Sequence, residues 1–281
     1  MAVSEEQLRA LKDRARRMRI DILKTLSGCG SGHTGGSLSA TDIVAALYFY
    51  KMKYDPKKPD WKERDNFILS KGHAAPLLYT ALAHAGFIDP AELCTLRKLG
   101  SRLQGHPDSK YVPGVEISTG SLGQGLSVAC GLALAHKLNK APNRVYALLG
   151  DGELQEGQVW EAAMTGAHYK LDNLCAFIDN NGLQIDGPVQ KVMGVEPIAD
   201  KWRAFGWEVL DIDGHDMAGI TAALDRADAV KGKPTAVVCR TVKGKGSKVF
   251  EGKVEFHGTT PSREELEIAL KELEESPCGC K

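Results

Sequence analysis

Hydrophobic positions change their spacing along the chain. From about Ser4 to Ser27 the pattern is that of one long helix, and Ser4 followed by Glu5, Glu6 and Gln7 makes a capping start. The glycines Gly28, Gly30, Gly32, Gly35 and Gly36 break the pattern, and a helix is expected to resume near Ser39 and run to Lys51. Phe67 to Leu69 is a short apolar run, and Ala74 to Ala85 and Pro90 to Leu99 read as helices. The middle alternates. Arg144 to Leu149 has the pattern of a buried strand and ends in Gly150–Asp151–Gly152, before a helix from about Glu153 to Tyr169. A second strand, Leu174 to Ile178, ends in Asp179–Asn180–Asn181–Gly182. A helix over about 197–205, a strand Trp207 to Asp211, a helix Met217 to Val230, a strand Thr235 to Thr241 and a last helix from about Pro261 to Glu275 follow.

Strands alternating with helices predict an α/β fold, a mainly parallel sheet with helices on both faces. The expected organisation is one domain over 1–275 and a flexible tail over 276–281. In such sheets ligands bind beyond the carboxyl ends of the strands, and the glycine-rich polar stretches fall there.

Composition narrows the partners. At 281 residues and 43% hydrophobic, the chain is long enough to bury a sizeable core. Lys and Arg number 36 and Asp and Glu 36, so no net positive field draws in a nucleic acid. The charged start MAVSEEQLRALKDRARRMR lacks the apolar core of a signal peptide, and stretches such as Ile43 to Tyr50 are too short to span a bilayer. Of seven cysteines, Cys29, Cys94, Cys130, Cys175 and Cys239 stand singly and read as thiols of a reducing, cytoplasmic protein. Cys278 and Cys280 read as part of the tail rather than as a metal hook.

Asp151 and Asn181 each follow a strand, so their side chains can meet at one sheet edge. A carboxylate and an amide suit Mg²⁺ or Ca²⁺, and so few protein ligands imply a phosphate-bearing partner that completes the shell. Gly150 and Gly152 admit that phosphate, and a helix opening at Glu153 offers N–H groups. Either motif alone would read as an ordinary turn. Four of the eight histidines lie in polar or glycine-rich contexts: Ser31–Gly32–His33–Thr34–Gly35–Gly36, Ser70–Lys71–Gly72–His73–Ala74, Gln104–Gly105–His106–Pro107–Asp108 and Phe256–His257–Gly258. Imidazoles near neutrality can bind sugar hydroxyls and move their protons. Singly, each could equally be a capping or core histidine.

The spacing from Gly150–Asp151–Gly152 to Asn180–Asn181 resembles the thiamine-diphosphate fingerprint. The histidines, with Ile117–Ser118–Thr119–Gly120–Ser121–Leu122–Gly123–Gln124–Gly125, are similar to the first half of transketolase, over nearly the whole chain from His33 to His257. The resemblance implies a thiamine-diphosphate-binding fold with Mg²⁺ on Asp151, Asn181 and the Leu183 carbonyl. It places His73 near the diphosphate, His106 on the donor sugar near its reacting carbon, and His33 and His257 by the donor hydroxyls as candidates for proton transfer. The backbone at Gly120 and Leu122 would face the aminopyrimidine ring. Glu156 and Glu161 resemble acidic residues that link paired active sites, although both could also be a charged helix face.

The implied reaction moves a two-carbon ketol unit from a ketose phosphate to an aldose phosphate. In full-length relatives a second α/β domain supplies the glutamate that activates the cofactor, and little beyond a helix is expected after His257. The resemblance therefore implies a C-terminal, pyrimidine-binding partner subunit, with two copies of each chain. Thr34 stands where the family usually has proline. Lys243–Gly244–Lys245–Gly246 reads as a mobile loop near the site or a solvated basic turn, and His215 as a helix-entry residue. His84, His136 and His168 are assigned no role. The rivals are an α subunit of a 2-oxoacid dehydrogenase, a deoxyxylulose-phosphate synthase relative and a non-catalytic cofactor-binding subunit.

Overall fold

A computed structural model describes residues 3–275, so Cys278 and Cys280 of the expected tail lie outside the described residues. Five parallel strands form the central sheet: β1 (Asn66–Leu69), β2 (Val145–Gly150), β3 (Leu174–Asn180), β6 (Glu208–Asp213) and β7 (Thr235–Arg240), in the order β1-β2-β3-β7-β6. The short strands β4 (Leu183–Gln184) and β5 (Gly187–Pro188) make an antiparallel hairpin after β3.

Alternate residues of each strand enter two separate apolar cores, as the period of two requires. Phe67, Leu69, Tyr146, Leu148, Cys175, Phe177, Val237 and Cys239 pack with helices α1 (Glu5–Cys29), α3 (Thr41–Ala46), α4 (Ala75–Ala85) and α9 (Met217–Ala229). Ile68, Val145, Ala147, Leu149, Ala176, Ile178 and Val238 pack with α5 (Gln124–Leu138), α6 (Gly157–His168) and α8 (Ile198–Ala204), whose Trp202 is fully buried. With both faces covered, the central strands read as near-continuous hydrophobic runs. No helix among the described residues is long and apolar enough to cross a membrane.

Most expected elements are present, with shifted ends. The capping box at Ser4 forms as expected: its hydroxyl accepts from the Gln7 N–H at 3.2 Å and the Gln7 side chain accepts from the Ser4 N–H at 3.1 Å. The helix expected from Ser39 begins earlier, as α2 (Thr34–Ser39) followed by α3 and a wide turn over Leu47–Lys51. Gly35 and Gly36 are inside a helix because space, not a break, requires them: a Cβ on Gly35 would lie 2.8 Å from Lys243 Cγ. The helix expected over Pro90 to Leu99 is only a tight turn over Pro90–Thr95, since Leu96 turns extended and Arg97 takes a left-handed φ of 58°. The helix expected from Glu153 starts at Gly157, with a tight turn over Gly152–Gln155 and Glu156 at the N-cap. The cause is Glu153, whose carboxylate folds back to accept from the N–H groups of Gly123 (2.9 Å) and Gly150 (3.0 Å) and from the Ser70 hydroxyl. Helix α7 (Val189–Val192) and helix α10 (Arg263–Glu275) complete the described chain.

Candidate functional site

Four strand ends deliver the polar residues to one place. After β1 come Lys71 and His73, after β2 Asp151, after β3 Asn181, and after β7 Lys243. They line a cavity of about 390 Å³ together with His33, His106, Gly120, Leu122, Gly150, Gly152, Glu153, Glu156, Leu183 and His257. Every residue expected at the site borders this cavity except Glu161, which lies on the exposed outer side of α6.

The four histidines come from four distant segments. His33 is the N-cap of α2, His73 follows β1, His106 lies in the loop between α4 and α5, and His257 ends a short turn before α10. Their rings converge: His33 is 5.2 Å from His73, 6.3 Å from His106 and 5.6 Å from His257 between centroids, and His73 is 5.1 Å from His257. Gly120, at φ 147°, lets the chain cross the face of His106, because a Cβ there would meet the ring at 2.9 Å.

Burial keeps these imidazoles uncharged. It lowers His33 to about 4, helped by the Arg97, His106 and Lys243 charges, and His257 to about 3, helped by Lys243, His33 and Lys71. His73 and His106 are lowered too, by burial first and then by Lys71 and Arg97 respectively. The Lys243 ammonium donates to His257 Nδ1 at 2.7 Å, which leaves the His257 proton on Nε2. His33 Nδ1 is buried and has no partner among the described residues.

The candidate metal ligands come from two adjacent turns, Asp151 from the one after β2 and Asn181 and Leu183 from the one after β3. Asp151, 2% exposed, accepts from the Gly152 N–H at 2.9 Å and the Gly182 N–H at 2.6 Å. Asn181 Oδ1 faces the Leu183 N–H at 3.1 Å, and its amide nitrogen donates to Asp179 at 3.1 Å. The Leu183 carbonyl accepts from Lys243 Nζ at 3.0 Å. Burial and the Asp179 carboxylate push Asp151 up to about 6, while burial and Lys71 bring Lys243 down to about 8. Among the described residues no group of three or more His, Cys, Asp or Glu side chains could hold a metal, and the candidate set is all oxygen, a carboxylate, an amide and a backbone carbonyl. Such a set fits Mg²⁺, a hard cation that takes oxygen ligands and fills its shell with phosphate oxygens and water.

Sequence reasoning placed Lys243 only in a loop near the site or a solvated turn and gave Lys71 no role, yet the two are 1% (Lys71) and 2% (Lys243) exposed and border the cavity. Lys71 pairs with the fully buried Asp179, which also accepts from the hydroxyls of Ser39 (2.6 Å) and Thr241. Among the described residues Lys243 has no ion-paired carboxylate, and that positive charge favours a polyanionic ligand. The signal was available: each lysine directly follows a buried strand at the sheet edge that carries Asp151. The loop after Lys243 is tied down. Phe250 is fully buried, Gly244 donates to the Gly35 carbonyl at 3.1 Å, and Glu272 of α10 accepts from Ser247 (2.6 Å) and the Lys248 N–H (3.0 Å).

Residues 10–277 match the family described as transketolase, thiamine diphosphate binding domain. The chain is 46% identical, over 97% of its length and 98% of the relative's, to the 6-deoxy-6-sulfo-D-fructose transketolase subunit SqwG of Clostridium sp. (strain MSTE9). It is 42% identical to one of the subunits of apulose-4-phosphate transketolase from Phocaeicola vulgatus, covering 98% of this chain and 96% of that one. The crystal structure of transketolase from Campylobacter jejuni superimposes with a TM-score of 0.88 at 34% identity, over 97% of this chain but 43% of that longer one. These likenesses favour transketolase over the 2-oxoacid dehydrogenase α subunit. The chain belongs to the transketolase family and carries its thiamine diphosphate-binding domain.

Proposed function

We propose that this chain is the diphosphate-binding subunit of a two-chain transketolase that moves a two-carbon ketol unit from a ketose phosphate to an aldose phosphate. One observation carries the reading: four imidazoles, Asp151 after β2 and Asn181 and Leu183 after β3 border the same cavity. Mg²⁺ would be held by Asp151, Asn181 and the Leu183 carbonyl, and the diphosphate by that metal, His73, Lys71 and Lys243. Thiamine diphosphate, when bound, supplies the carbon nucleophile and accepts the electron pair as the donor's carbon–carbon bond breaks.

The chain's own groups bind and move protons. His106 and His257 reach the donor's hydroxyls, and His257, with its proton on Nε2, serves as a hydrogen-bond donor. His33 borders the cavity as an uncharged imidazole and is the second candidate to take the donor hydroxyl's proton. Gly120 and Leu122 would contact the cofactor ring through the backbone. The domain over 1–275 would act in the cytoplasm, in pentose phosphate interconversions, with a C-terminal, pyrimidine-binding subunit, two copies of each. The names of the subunit relatives support the partner, and Glu156, which borders the cavity, and Glu161, exposed on α6, are the residues proposed to link paired sites.

The test is to purify the tagged chain from its host with thiamine diphosphate and Mg²⁺ present. Xylulose 5-phosphate, apulose 4-phosphate and 6-deoxy-6-sulfofructose are then assayed as donors, with ribose 5-phosphate as acceptor. Activity that follows a co-purifying chain, and is absent from this chain made alone, is the expected result. Turnover by the isolated chain would defeat the two-chain reading. Inactivity of the co-purified assembly on every donor would withdraw the sugar roles of the histidines.

A further inference from the structure

The sequence Asp213–Gly214–His215–Asp216 reads as the entry to α9, and three of its residues do serve that turn. Asp216 caps α9 by accepting from the N–H groups of Ala218 and Gly219, both at 3.1 Å. Asp213 accepts from the His215 N–H at 2.8 Å. Gly214 lies tight against β7, where a Cβ would come 2.4 Å from Thr241 Cγ2 and 3.0 Å from Cys239 Cβ. None of this needs an imidazole at position 215.

The ring nevertheless has a partner at each nitrogen. His215 Nε2 accepts from the Val242 N–H at 2.8 Å, so that nitrogen carries no proton, and Nδ1 must donate to Asp42 Oδ2, also at 2.8 Å. Asp42 is held in turn by a two-pronged ion pair with Arg19 of α1, at 3.0 and 2.6 Å. A line of contacts thus runs from α1 and α3 through the His215 ring to the backbone of Val242, buried at the Arg19–Asp42 end, part-buried at the ring and exposed at the Val242 amide. The next residue is Lys243, whose ammonium reaches 3.0 Å from the Leu183 carbonyl and 2.7 Å from His257.

We propose that His215 is a positioning residue for Lys243: its unprotonated Nε2 holds the Val242 amide, and so fixes the point from which Lys243 enters the cavity. The Asp42–Arg19 pair serves to set the tautomer and the ring's angle. His215 itself does not border the cavity. The inference rests on the thiamine diphosphate and Mg²⁺ reading only for its effect on binding.

Two substitutions separate the ring's two bonds. The amide oxygen of His215→Gln can reach the place of Nε2, whereas the shorter His215→Asn reaches only that of Nδ1. Thiamine diphosphate is titrated, with Mg²⁺, into the tagged chain as purified from its host and stripped of ligand, with tryptophan fluorescence as readout. His215→Asn and His215→Phe are expected to bind about tenfold more weakly, the loss of one hydrogen bond's worth of placement, and His215→Gln to remain near the wild type. In a Lys243→Ala background His215→Asn should have no further effect, because the residue whose position it controls is gone. Equal weakening by Asn and Gln, or an undiminished effect of His215→Asn without Lys243, would overturn the proposal. Hydrogen exchange at the Val242 amide, measured without any ligand, should be slow in the wild type and His215→Gln and fast in His215→Asn. If the wild type binds no thiamine diphosphate while that exchange pattern holds, the cofactor reading fails and the anchoring of Val242 stands. A Val242 amide equally slow in all three overturns the anchoring itself.

Discussion

Lys71, which borders the cavity, and Asp179 behind it form a buried ion pair. Burial pushes the Asp179 carboxyl up, but Lys71 and the Ser39 and Thr241 hydroxyls outweigh it and hold the group below the usual carboxylate range. Removing one member of such a pair leaves the other charged and unpaired in the interior. Lys71→Met is therefore expected to cost about 3–5 kcal/mol in urea-unfolding experiments. A cost below about 1 kcal/mol would mean that Asp179 finds a substitute cation or takes up a proton. The same carboxylate accepts from the Asn181 amide nitrogen, which turns that side chain's oxygen away from Asp179. Asp151 and Asn181 could be read from sequence because a polar residue after a buried strand has only the sheet edge to occupy. Asp179 could not, since an acidic residue at a strand's end reads as solvated until the lysine that follows β1, two strands away in the sheet, is known.

Helix α5 starts in direct contact with the end of β1. A Cβ on Gly125 would lie 2.5 Å from Ser70 Oγ and 2.7 Å from Ser70 Cα, and Cα, being backbone, cannot turn aside. Gly125→Ala should push the start of α5 and the Gly120–Gly123 stretch off the strand end, at about 1–3 kcal/mol of overpacking. Gly131→Ala, on the same helix with nothing within 4 Å of its added methyl, is the control. It should be neutral or stabilise by up to about 1 kcal/mol. Equal midpoints for the two variants would sink the close-packing account. Strands β2, β3 and β7 and helix α9 were legible because their periodicity and flanking turns are strong. Element boundaries near the site were not. Glycines in α2 look like breakers but permit Lys243 to pass, and the Glu153 carboxylate replaces a first helical turn by binding Gly123 and Gly150. Both exceptions arise from contacts between segments far apart in sequence, which local pattern does not contain.

At the scale of the whole molecule, the chain has 36 basic and 36 acidic side chains, so no large net charge sets its response to acid near neutrality. Local groups set it instead. His33 and His257 share the cavity only because β1, β7, α2 and the turn before α10 converge, and unfolding returns both rings to water. Their folded values, about 4 and about 3, lie below the ordinary 6.5. Below 6.5 the unfolded chain therefore binds more protons than the folded one. The stability these rings permit is fully present above that value and is lost as pH falls toward the folded values. Asp151 acts in the opposite sense, because its folded value of about 6 exceeds the ordinary 3.8, so its contribution is lost as pH rises between them. Asp42 and Asp179 are both lowered from 3.8, so they lose their contributions only at more acid pH. The histidine contribution is thus best measured by difference. Melting temperatures of the ligand-free chain are compared from about pH 7.5 to about pH 4.5 for the wild type and for His33→Asn/His257→Asn. The wild type should lose more stability across that interval than the variant, whose amides do not titrate. Parallel curves would mean that the two rings are as easily protonated in the folded cavity as in water, and would remove the basis for treating His33 as a neutral proton acceptor.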